Sequence, residues 1–239
     1  MRANDAIDLE VEAGSLVGLI GPNGAGKTTF VDALTGFVPS TGRIEFDGHE
    51  IQQLRPHRRS RLGLGRTWQS LELFDDLTVR ENLTVAAQRQ SMGGFLLDLV
   101  VPQRHRADAD VEQSLDMLGI SALADRLPGE LSQGQRKLVS AARALAGRPR
   151  LVCMDEPAAG LDSAESQVLG RQLRQLVDHG TAVLLIDHDM DLVLEVCDRV
   201  YVIDFGRVIA HGTPSEVRRD PAVVAAYLGS IDDMGDEGD

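Results

Sequence analysis

Hydrophobic residues in this chain form short unbroken runs that alternate with longer stretches of helical periodicity. The runs at 15–20, 151–155 and 182–187 are apolar at nearly every position, which is typical of parallel strands buried on both faces. Between the last two runs, residues 164–180 place apolar positions at the spacing of an amphipathic helix. This alternation predicts an α/β fold with a mostly parallel sheet flanked by helices.

The remaining patterns extend this alternation. Turn residues bound the predicted strands, and the predicted helices carry apolar residues at helical spacing. The predicted strands are 42–48 and a pair around an Asp-Phe-Gly turn within 199–212. The predicted helices are 27–37, 133–147 and 214–229, and the last of them is predicted to be broken near Pro221.

One helical block interrupts the alternation. From Leu77 to about Leu127 the periodicity is helical, so we predict an inserted α-helical subdomain over 71–128. The core is then formed by 1–70 and 129–230. Residues 231–239 are rich in carboxylates and have little to bury, so they are predicted to be a disordered acidic tail.

Composition limits the partners that this chain can have. The net charge of −13 argues against a nucleic-acid surface, because phosphate neutralisation needs clustered Lys and Arg. No apolar run approaches the roughly 20 residues of a membrane-spanning helix, so any membrane role is expected to come through a partner. Cys153 and Cys197 lack metal-ligand spacing and indicate a reducing compartment.

A phosphate-binding loop is predicted after the first apolar run. Residues 21–28 match G-x-x-x-x-G-K-[ST], with a strand predicted before them and a helix after. Such a loop directs backbone N–H groups at phosphate oxygens, and Lys27, one of only two lysines, adds a flexible charge. The Thr28 hydroxyl is predicted to bind Mg²⁺. The predicted ATP-binding residues here are Gly21, Pro22, Asn23, Gly24, Ala25, Gly26, Lys27, Thr28 and Thr29.

An acid pair follows the run at 151–155. A strand that ends in carboxylates places them at the edge of the sheet, beside the phosphate loop. Asp155 is predicted to hold Mg²⁺, directly or through water. Glu156 is predicted to orient and deprotonate the water that attacks the γ-phosphate in line.

Four further motifs complete a family pattern. "GRTWQ" (65–69), "LSQGQ" (131–135), "AGLD" (159–162) and "LLIDHD" (184–189) lie in order around the loop and the acid pair. Together the six motifs strongly resemble the ATPase subunit of ABC transporters over essentially the whole chain. The resemblance implies a P-loop NTPase core of the RecA-like type. It also implies that Gln69 contacts Mg²⁺ and water, that His188 contacts the γ-phosphate and that Asp162 lies at a dimer interface.

The signature "LSQGQ" implies a second ATPase subunit. Ser132, Gly134 and Gln135 lie at the start of a predicted helix, where hydroxyl, amide and helix dipole can face an anion. In the family this anion is the γ-phosphate bound to the other subunit, so two ATP molecules join a homodimer or a heterodimer. Gln133 stands where the family usually has Gly, at a position that varies, and it is not expected to inactivate the protein.

The branch of the family is indicated by "RTWQSLELFDDLTVRENL", by the stretch from Leu184 to Val217 and by the ending "AAYLG". These resemble ATPases of branched-chain amino acid importers. The resemblance implies a peripheral protein on the cytoplasmic face of the membrane, held by permease subunits and served indirectly by a substrate-binding protein. Candidate apolar contacts with the permease are Leu71, Leu73, Phe74 and Phe95, for which ordinary core packing is the alternative.

Other functions stay open from the sequence. Urea and short-amide importers use very similar ATPases, and lipopolysaccharide-export ATPases are related. A soluble ABC ATPase of DNA repair or translation is disfavoured by the absence of long coiled coils, zinc-binding insertions or a second ATPase half. A non-hydrolysing structural subunit is disfavoured by the motifs.

The N-terminal stretch departs from the family pattern. The family begins with another strand and an aromatic residue that stacks on adenine, whereas the stretch after Met1 aligns just beyond that aromatic. The N-terminal strand region is therefore expected to be truncated, either because the start was assigned too late or because the protein lacks the stack. As written, the sequence predicts an unpaired sheet edge and ATP binding weaker by about one to two orders of magnitude.

Overall fold

The computed structural model describes residues 3–67, 73–87 and 104–232, with side chains except at 104–107 and 228–232. Its strands are β1 (Leu16–Ile20), β2 (Glu45–Phe46), β3 (His49–Glu50), β4 (Leu64–Arg66), β5 (Leu151–Asp155), β6 (Ala182–Ile186), β7 (Arg199–Asp204) and β8 (Arg207–Gly212). Six of them form one sheet in the order β4-β5-β6-β1-β7-β8, and β2 pairs with β3 in a separate hairpin. Within the large sheet all neighbours are parallel except β7 and β8.

Helices connect the strands and cover the sheet. They are α1 (Lys27–Thr35), α2 (Pro56–Leu62), α3 (Val79–Ala87), α4 (Arg104–Met117), α5 (Gln133–Leu145), α6 (Ser163–Asp178), α7 (Met190–Val196), α8 (Pro214–Val217) and α9 (Pro221–Asp232). Short 3₁₀ turns at Ser121–Leu123 and Pro128–Glu130 lead from α4 to α5. In the part of the chain that the structure describes, no helix is both long and apolar enough to cross a bilayer.

The alternation of side chains in β1 builds two cores. Leu16 and Ile20 join one buried cluster with α6 and α7, whereas Val17 and Leu19 join a second cluster on the opposite face with Val31 of α1. Gly18 lies on the first face, where an added Cβ would stand 2.6 Å from Val193 Cγ1. The absence of a side chain at Gly18 therefore lets α7 pack closely on the sheet.

Helices α3 and α4 lie in the segment predicted as a helical subdomain. Asn82 of α3 is fully buried, and its Nδ2 donates to the carbonyls of Phe74, Leu77 and Thr78 at 3.0–3.1 Å. Its Oδ1 accepts from the Phe74 amide at 2.9 Å. The Asn82 side chain thus holds residues 74–78, which lead into α3, against the helix.

The predicted α/β fold is confirmed, with corrections to individual elements. The predicted strand 42–48 shortens to β2, which turns back into β3. Helix α2 was not predicted, because its sequence is rich in arginine and begins at Pro56, which occupies the first helical turn.

Two observations concern the ends of the chain. Helix α9 continues through Asp232, two residues into the predicted tail, and 233–239 lie outside the described residues. Residues 3–13 form no strand, but Ile7, Leu9 and Val11 pack partly buried against the second core cluster. The predicted loss of ATP affinity and the unpaired edge stay predictions, as do the domain boundaries.

Candidate active site

The phosphate loop joins β1 to α1 at the carboxyl edge of the sheet. Gly24 and Gly26 have φ angles of 79° and 102°, which glycine adopts without the clash of a Cβ. Gly26 is the N-cap of α1 and supplies no side-chain hydrogen bond to the helix. The positive end of the α1 dipole and its first amides are therefore available to an anion.

Lys27 is held against this loop. It is 8% exposed, and its Nζ donates to the carbonyls of Gly21 at 2.6 Å and Pro22 at 2.9 Å. Burial lowers the pKa of Lys27, and the negative charges of Glu156 and Asp155 oppose that shift. The ammonium group thus lies at the loop with both residues of the acid pair close to it.

Asp155 ends β5 in a buried position. Its carboxylate atom Oδ2 accepts no hydrogen bond within the described structure, and Arg66 Nη2 lies 3.8 Å away. Burial raises the pKa of Asp155, Arg66 lowers it, and Glu156 and Asp32 raise it further. An oxygen that is buried and short of hydrogen-bond donors is suited to a cation.

Arg66 is a residue of this site that sequence reasoning missed. Its side chain is 8% exposed, and Nη1 pairs with Asp32 Oδ1 at 2.5 Å and reaches Thr35 Oγ1 at 3.3 Å. The next residue, Thr67, accepts a hydrogen bond from the Asp155 amide through Oγ1 at 3.1 Å. The end of β4 therefore ties α1 to the acid strand. The only sequence signal was the position of both residues within "GRTWQ".

Glu156 follows β5 in a left-handed conformation with φ of 49°. Its amide donates to the Ile186 carbonyl at 2.7 Å, so the end of β6 fixes it from one side. Its Oε1 lies 4.0 Å from His188 Nδ1, and the His188 side chain is 59% exposed. Glu156 and His188, predicted from separate motifs, thus face each other across the end of two neighbouring strands.

Asp187 is a second residue that sequence reasoning missed. It is fully buried, and its Oδ2 accepts from the Ala158 amide at 3.0 Å while Oδ1 accepts from the Asp189 amide at 3.0 Å. Its Oδ1 also lies 3.6 Å from His188 Nδ1. Asp187 therefore connects the turn after the acid pair with the segment that carries His188.

The signature residues cap helix α5. Ser132 Oγ accepts from the Gln135 amide at 3.2 Å, and Gln135 Oε1 accepts from the Ser132 amide at 3.0 Å, which is a capping box. Gly134 packs closely, because an added Cβ would stand 2.8 Å from Leu161 Cδ2. Ser132 and Gln135 thus cap the N-terminus of α5. Their predicted binding of the nucleotide held by a second subunit stays a prediction.

Asp162 caps the N-terminus of α6 with a capping box of the same kind. Its Oδ1 accepts from the Glu165 amide at 2.8 Å, and Glu165 Oε2 accepts from the Asp162 amide at 3.1 Å. Its predicted place at a dimer interface stays a prediction.

The structure gathers most, but not all, of the predicted residues. It brings Lys27, Asp155, Glu156 and His188 to one edge of the sheet. Gln69, Leu71 and Phe95 lie outside the described residues. Of the other two predicted permease contacts, Phe74 is 49% exposed and Leu73 packs against the first core cluster.

Comparisons with known proteins agree with this geometry. The ABC transporter family model matches residues 4–159, and that of the branched-chain amino acid ATP-binding cassette transporter matches residues 207–233. The high-affinity branched-chain amino acid transport ATP-binding protein BraF of Pseudomonas aeruginosa is 41% identical, with 96% of this chain and 92% of BraF covered. The lipopolysaccharide export system ATP-binding protein LptB of Escherichia coli is 39% identical, over 95% of this chain and 91% of LptB.

A solved structure is similar along nearly its whole length. The ADP conformation of MJ1267, an ATP-binding cassette of an ABC transporter, superposes with a TM-score of 0.83 at 33% identity. The alignment covers 95% of this chain and 92% of MJ1267. The similarity therefore extends over both the sheet and the helices that surround it.

Proposed function

The chain belongs to the ABC transporter family, and on that premise we propose that it is the ATP-hydrolysing subunit of an importer for branched-chain or other hydrophobic amino acids. One observation carries the enzymatic part of the proposal. A phosphate loop with its lysine, a buried acid and a second acid facing a histidine converge at one edge of the sheet. Phosphoryl transfer to water needs neutralisation of the phosphate charge and a group that positions the attacking water, and this combination supplies both.

Binding of the triphosphate is assigned to the loop and the start of α1. Backbone N–H groups of the loop and the dipole of α1 are proposed to bind phosphate oxygens. Lys27 can exchange its hydrogen bonds with the Gly21 and Pro22 carbonyls for hydrogen bonds with phosphate, because its Nζ lies at the loop. This exchange replaces neutral acceptors with charged ones, which form stronger hydrogen bonds.

The described residues fit a magnesium ion. Oδ2 of Asp155 is buried and accepts no hydrogen bond, and the Thr28 hydroxyl lies at the exposed start of α1. No group of three or more His, Cys, Asp or Glu side chains that could hold a metal occurs in the described ranges. Mg²⁺ commonly binds through one or two protein oxygens plus substrate phosphates, so a larger group is not required. When bound, Mg²⁺ neutralises phosphate charge, and Asp155, Thr28 and Gln69 are proposed to hold it.

Hydrolysis is assigned to Glu156 with His188 beside it. The Glu156 carboxylate accepts a proton from water as the water oxygen attacks the γ-phosphorus and the bond to the β-phosphate oxygen breaks. The products are ADP and inorganic phosphate. His188, 4.0 Å from Glu156, is proposed to donate a hydrogen bond to the γ-phosphate and to help hold Glu156 in place.

A second ATPase subunit is proposed to complete the site. Ser132 and Gln133 are exposed at the N-terminus of α5, where an incoming γ-phosphate would meet an amide-rich helix end. We propose that each subunit offers this surface to the nucleotide of the other. ATP then stabilises association, and its hydrolysis releases the pair.

The amino acid substrate class is supported by the C-terminal region. Residues 207–233 match a model specific to branched-chain amino acid cassettes, and BraF is named for that transport. LptB is nearly as similar in sequence, so lipopolysaccharide export is the second candidate. In either system the chain is proposed to dock on permease subunits at the cytoplasmic face of the membrane.

The enzymatic part is tested by measuring ATP hydrolysis of the parent and of Glu156→Gln. We expect the turnover number to fall by about 10²–10⁴-fold while ATP affinity is retained, because the proton acceptor is lost and the phosphate loop is not. Glu195→Gln, an exposed change of the same chemistry on α7, is the matched control and should keep full activity. Equal rates for the parent and Glu156→Gln would show that Glu156 is not the base.

The transport part is tested in the source cell. Deletion of the gene should abolish high-affinity leucine uptake, and the parent gene, but not Glu156→Gln, should restore it. Normal leucine uptake together with loss of lipopolysaccharide from the cell surface would favour the second candidate. Normal leucine uptake together with loss of urea uptake would redirect the substrate class.

A further inference from the structure

Lys137, the second lysine of the chain, reaches from α5 to the turn that follows the acid pair. Its Nζ donates hydrogen bonds to the carbonyl oxygens of Ala159 and Glu156, the latter at 3.3 Å. Burial lowers the pKa of Lys137, and the charges of Asp187 and Glu156 oppose that shift. The ammonium group is thus enclosed by two backbone carbonyls and lies near two carboxylates.

The turn that Lys137 holds contains a strained residue. Glu156 has φ of 49°, a conformation that residues with a side chain avoid unless their surroundings fix it. Its amide is fixed by the Ile186 carbonyl, and the Ala158 amide is fixed by Asp187. Lys137 binds the other backbone group of Glu156, its carbonyl. Both backbone groups of Glu156 are therefore held, which fixes the backbone that carries its side chain.

Lys137 also connects two parts of the proposed site. Its helix, α5, begins at the Ser132 cap, little more than one helical turn before Lys137. Gly134 of the same helix packs against Leu161, in the turn that Lys137 binds. Direct contacts therefore connect the N-terminal part of α5 with this turn.

We propose that Lys137 is a positioning residue for ATP hydrolysis, which fixes the backbone of Glu156 and links it to the N-terminus of α5. This inference rests on the proposed function, because it assumes that Glu156 activates water. In this role Lys137 does not touch the nucleotide. Its removal should therefore impair the chemical step far more than nucleotide binding.

The test compares Lys137→Ala, Lys137→Met and Lys137→Arg on the purified chain and on the assembled transporter. Lys137→Ala should lower kcat roughly 10- to 100-fold, the loss expected when a catalytic group is misplaced by about 1 Å. The Kd for ATP should stay within about twofold of the parent value, because the phosphate loop is untouched. Lys137→Arg should restore kcat to within about threefold, since a guanidinium also donates to two carbonyls.

Arg174→Ala is the matched control for a purely structural role. Arg174 is also a cation that binds a backbone carbonyl, that of Val196 at 3.1 Å, and it pairs with Asp198 at 2.8 Å. It lies on α6, outside the residues assigned to the site. Its removal should lower the melting temperature and leave kcat unchanged.

The outcomes separate this inference from the proposed function. If Lys137→Ala keeps kcat within about twofold of the parent, or loses it only in proportion to Arg174→Ala, the positioning role is refuted. If Lys137→Ala does not fold, Lys137→Met decides, since its side chain is similar in length but has no hydrogen-bond donor, and parent-like kcat refutes the role. If Glu156→Gln hydrolyses ATP as fast as the parent, the proposed base itself fails, whatever Lys137 does.

Discussion

Replacement of Asp155 by asparagine should stabilise the nucleotide-free protein while abolishing ATP hydrolysis. The Asp155 side chain is 2% exposed, and its Oδ2 accepts no hydrogen bond in the described part of the structure. A buried acceptor without a partner costs about 1–3 kcal/mol. Arg66, at 3.8 Å, offsets part of this cost, but it also pairs with Asp32. Removal of the charge should therefore raise the unfolding free energy by about 1 kcal/mol.

The stabilisation should depend on pH in one direction. Because burial raises the pKa of Asp155, the folded protein takes up a proton at a higher pH than the unfolded chain does. Above the folded pKa the carboxylate is ionised in both states, and the penalty is fully present. As the pH falls through the folded pKa towards the unfolded value near about 4, protonation of the folded state removes the penalty. The difference between Asp155→Asn and the parent should shrink accordingly.

The assay is urea unfolding at about pH 7.5 and about pH 5, in EDTA and then with Mg²⁺ and ATP. A gain of about 1 kcal/mol corresponds to a melting temperature higher by about 2–4 °C. Saturating Mg²⁺ and ATP, at about 100 times Kd, should add about 2.7 kcal/mol to the parent but much less to Asp155→Asn. The exposed Asp108→Asn on α4 should change neither quantity beyond about 0.5 kcal/mol. A less stable Asp155→Asn at neutral pH without nucleotide would refute the reasoning.

Substitutions at two further positions test other contacts. Ser132→Ala removes the α5 cap and should cost about 1 kcal/mol of unfolding free energy. Ser132→Asp should keep the cap but lose ATP hydrolysis, because its charge repels a γ-phosphate. Equal hydrolysis by Ser132→Asp and the parent would contradict the assigned role. Asn82→Leu should cost about 2–3 kcal/mol in urea unfolding, since it leaves the Phe74 amide and carbonyls of the same loop without their partner. A loss below about 0.5 kcal/mol would show that water replaces the side chain.

The parts of the fold that were predictable have local causes. Strands β5 and β6 could be predicted because burial on both faces excludes polar residues. The phosphate loop could be predicted because its glycines and lysine lie within one short segment of the sequence. Helix α2 could not be predicted from its sequence. Its residues form a polar run without an apolar face, yet Arg59 is buried and only 3% exposed. Its guanidinium donates to carbonyls that tertiary structure brings near, those of Ala33, Leu34, Gln52 and Leu54.

The parts of the site that were missed have partners that are distant in sequence. Arg66 pairs with Asp32, which lies 34 residues earlier. Lys137 donates hydrogen bonds to carbonyls 19 and 22 residues away. Every residue has a backbone carbonyl, so the sequence does not show which of them will accept a hydrogen bond. The acids and the histidine were predictable because each follows an apolar run, whereas the cations that hold them lie in helices and edge strands with no such marker.

The strand order β4-β5-β6-β1-β7-β8 has a consequence for biosynthesis. Both neighbours of β1, β6 and β7, begin more than 160 residues after β1 ends. At roughly 5–20 residues per second, translation delivers β6 on the order of 10–30 s after β1. During that interval the nascent chain presents an apolar strand with no partner on either side. Chaperone contact should accordingly be concentrated on this stretch, and the phosphate loop next to it should become ordered only after β6 and β7 have been synthesised.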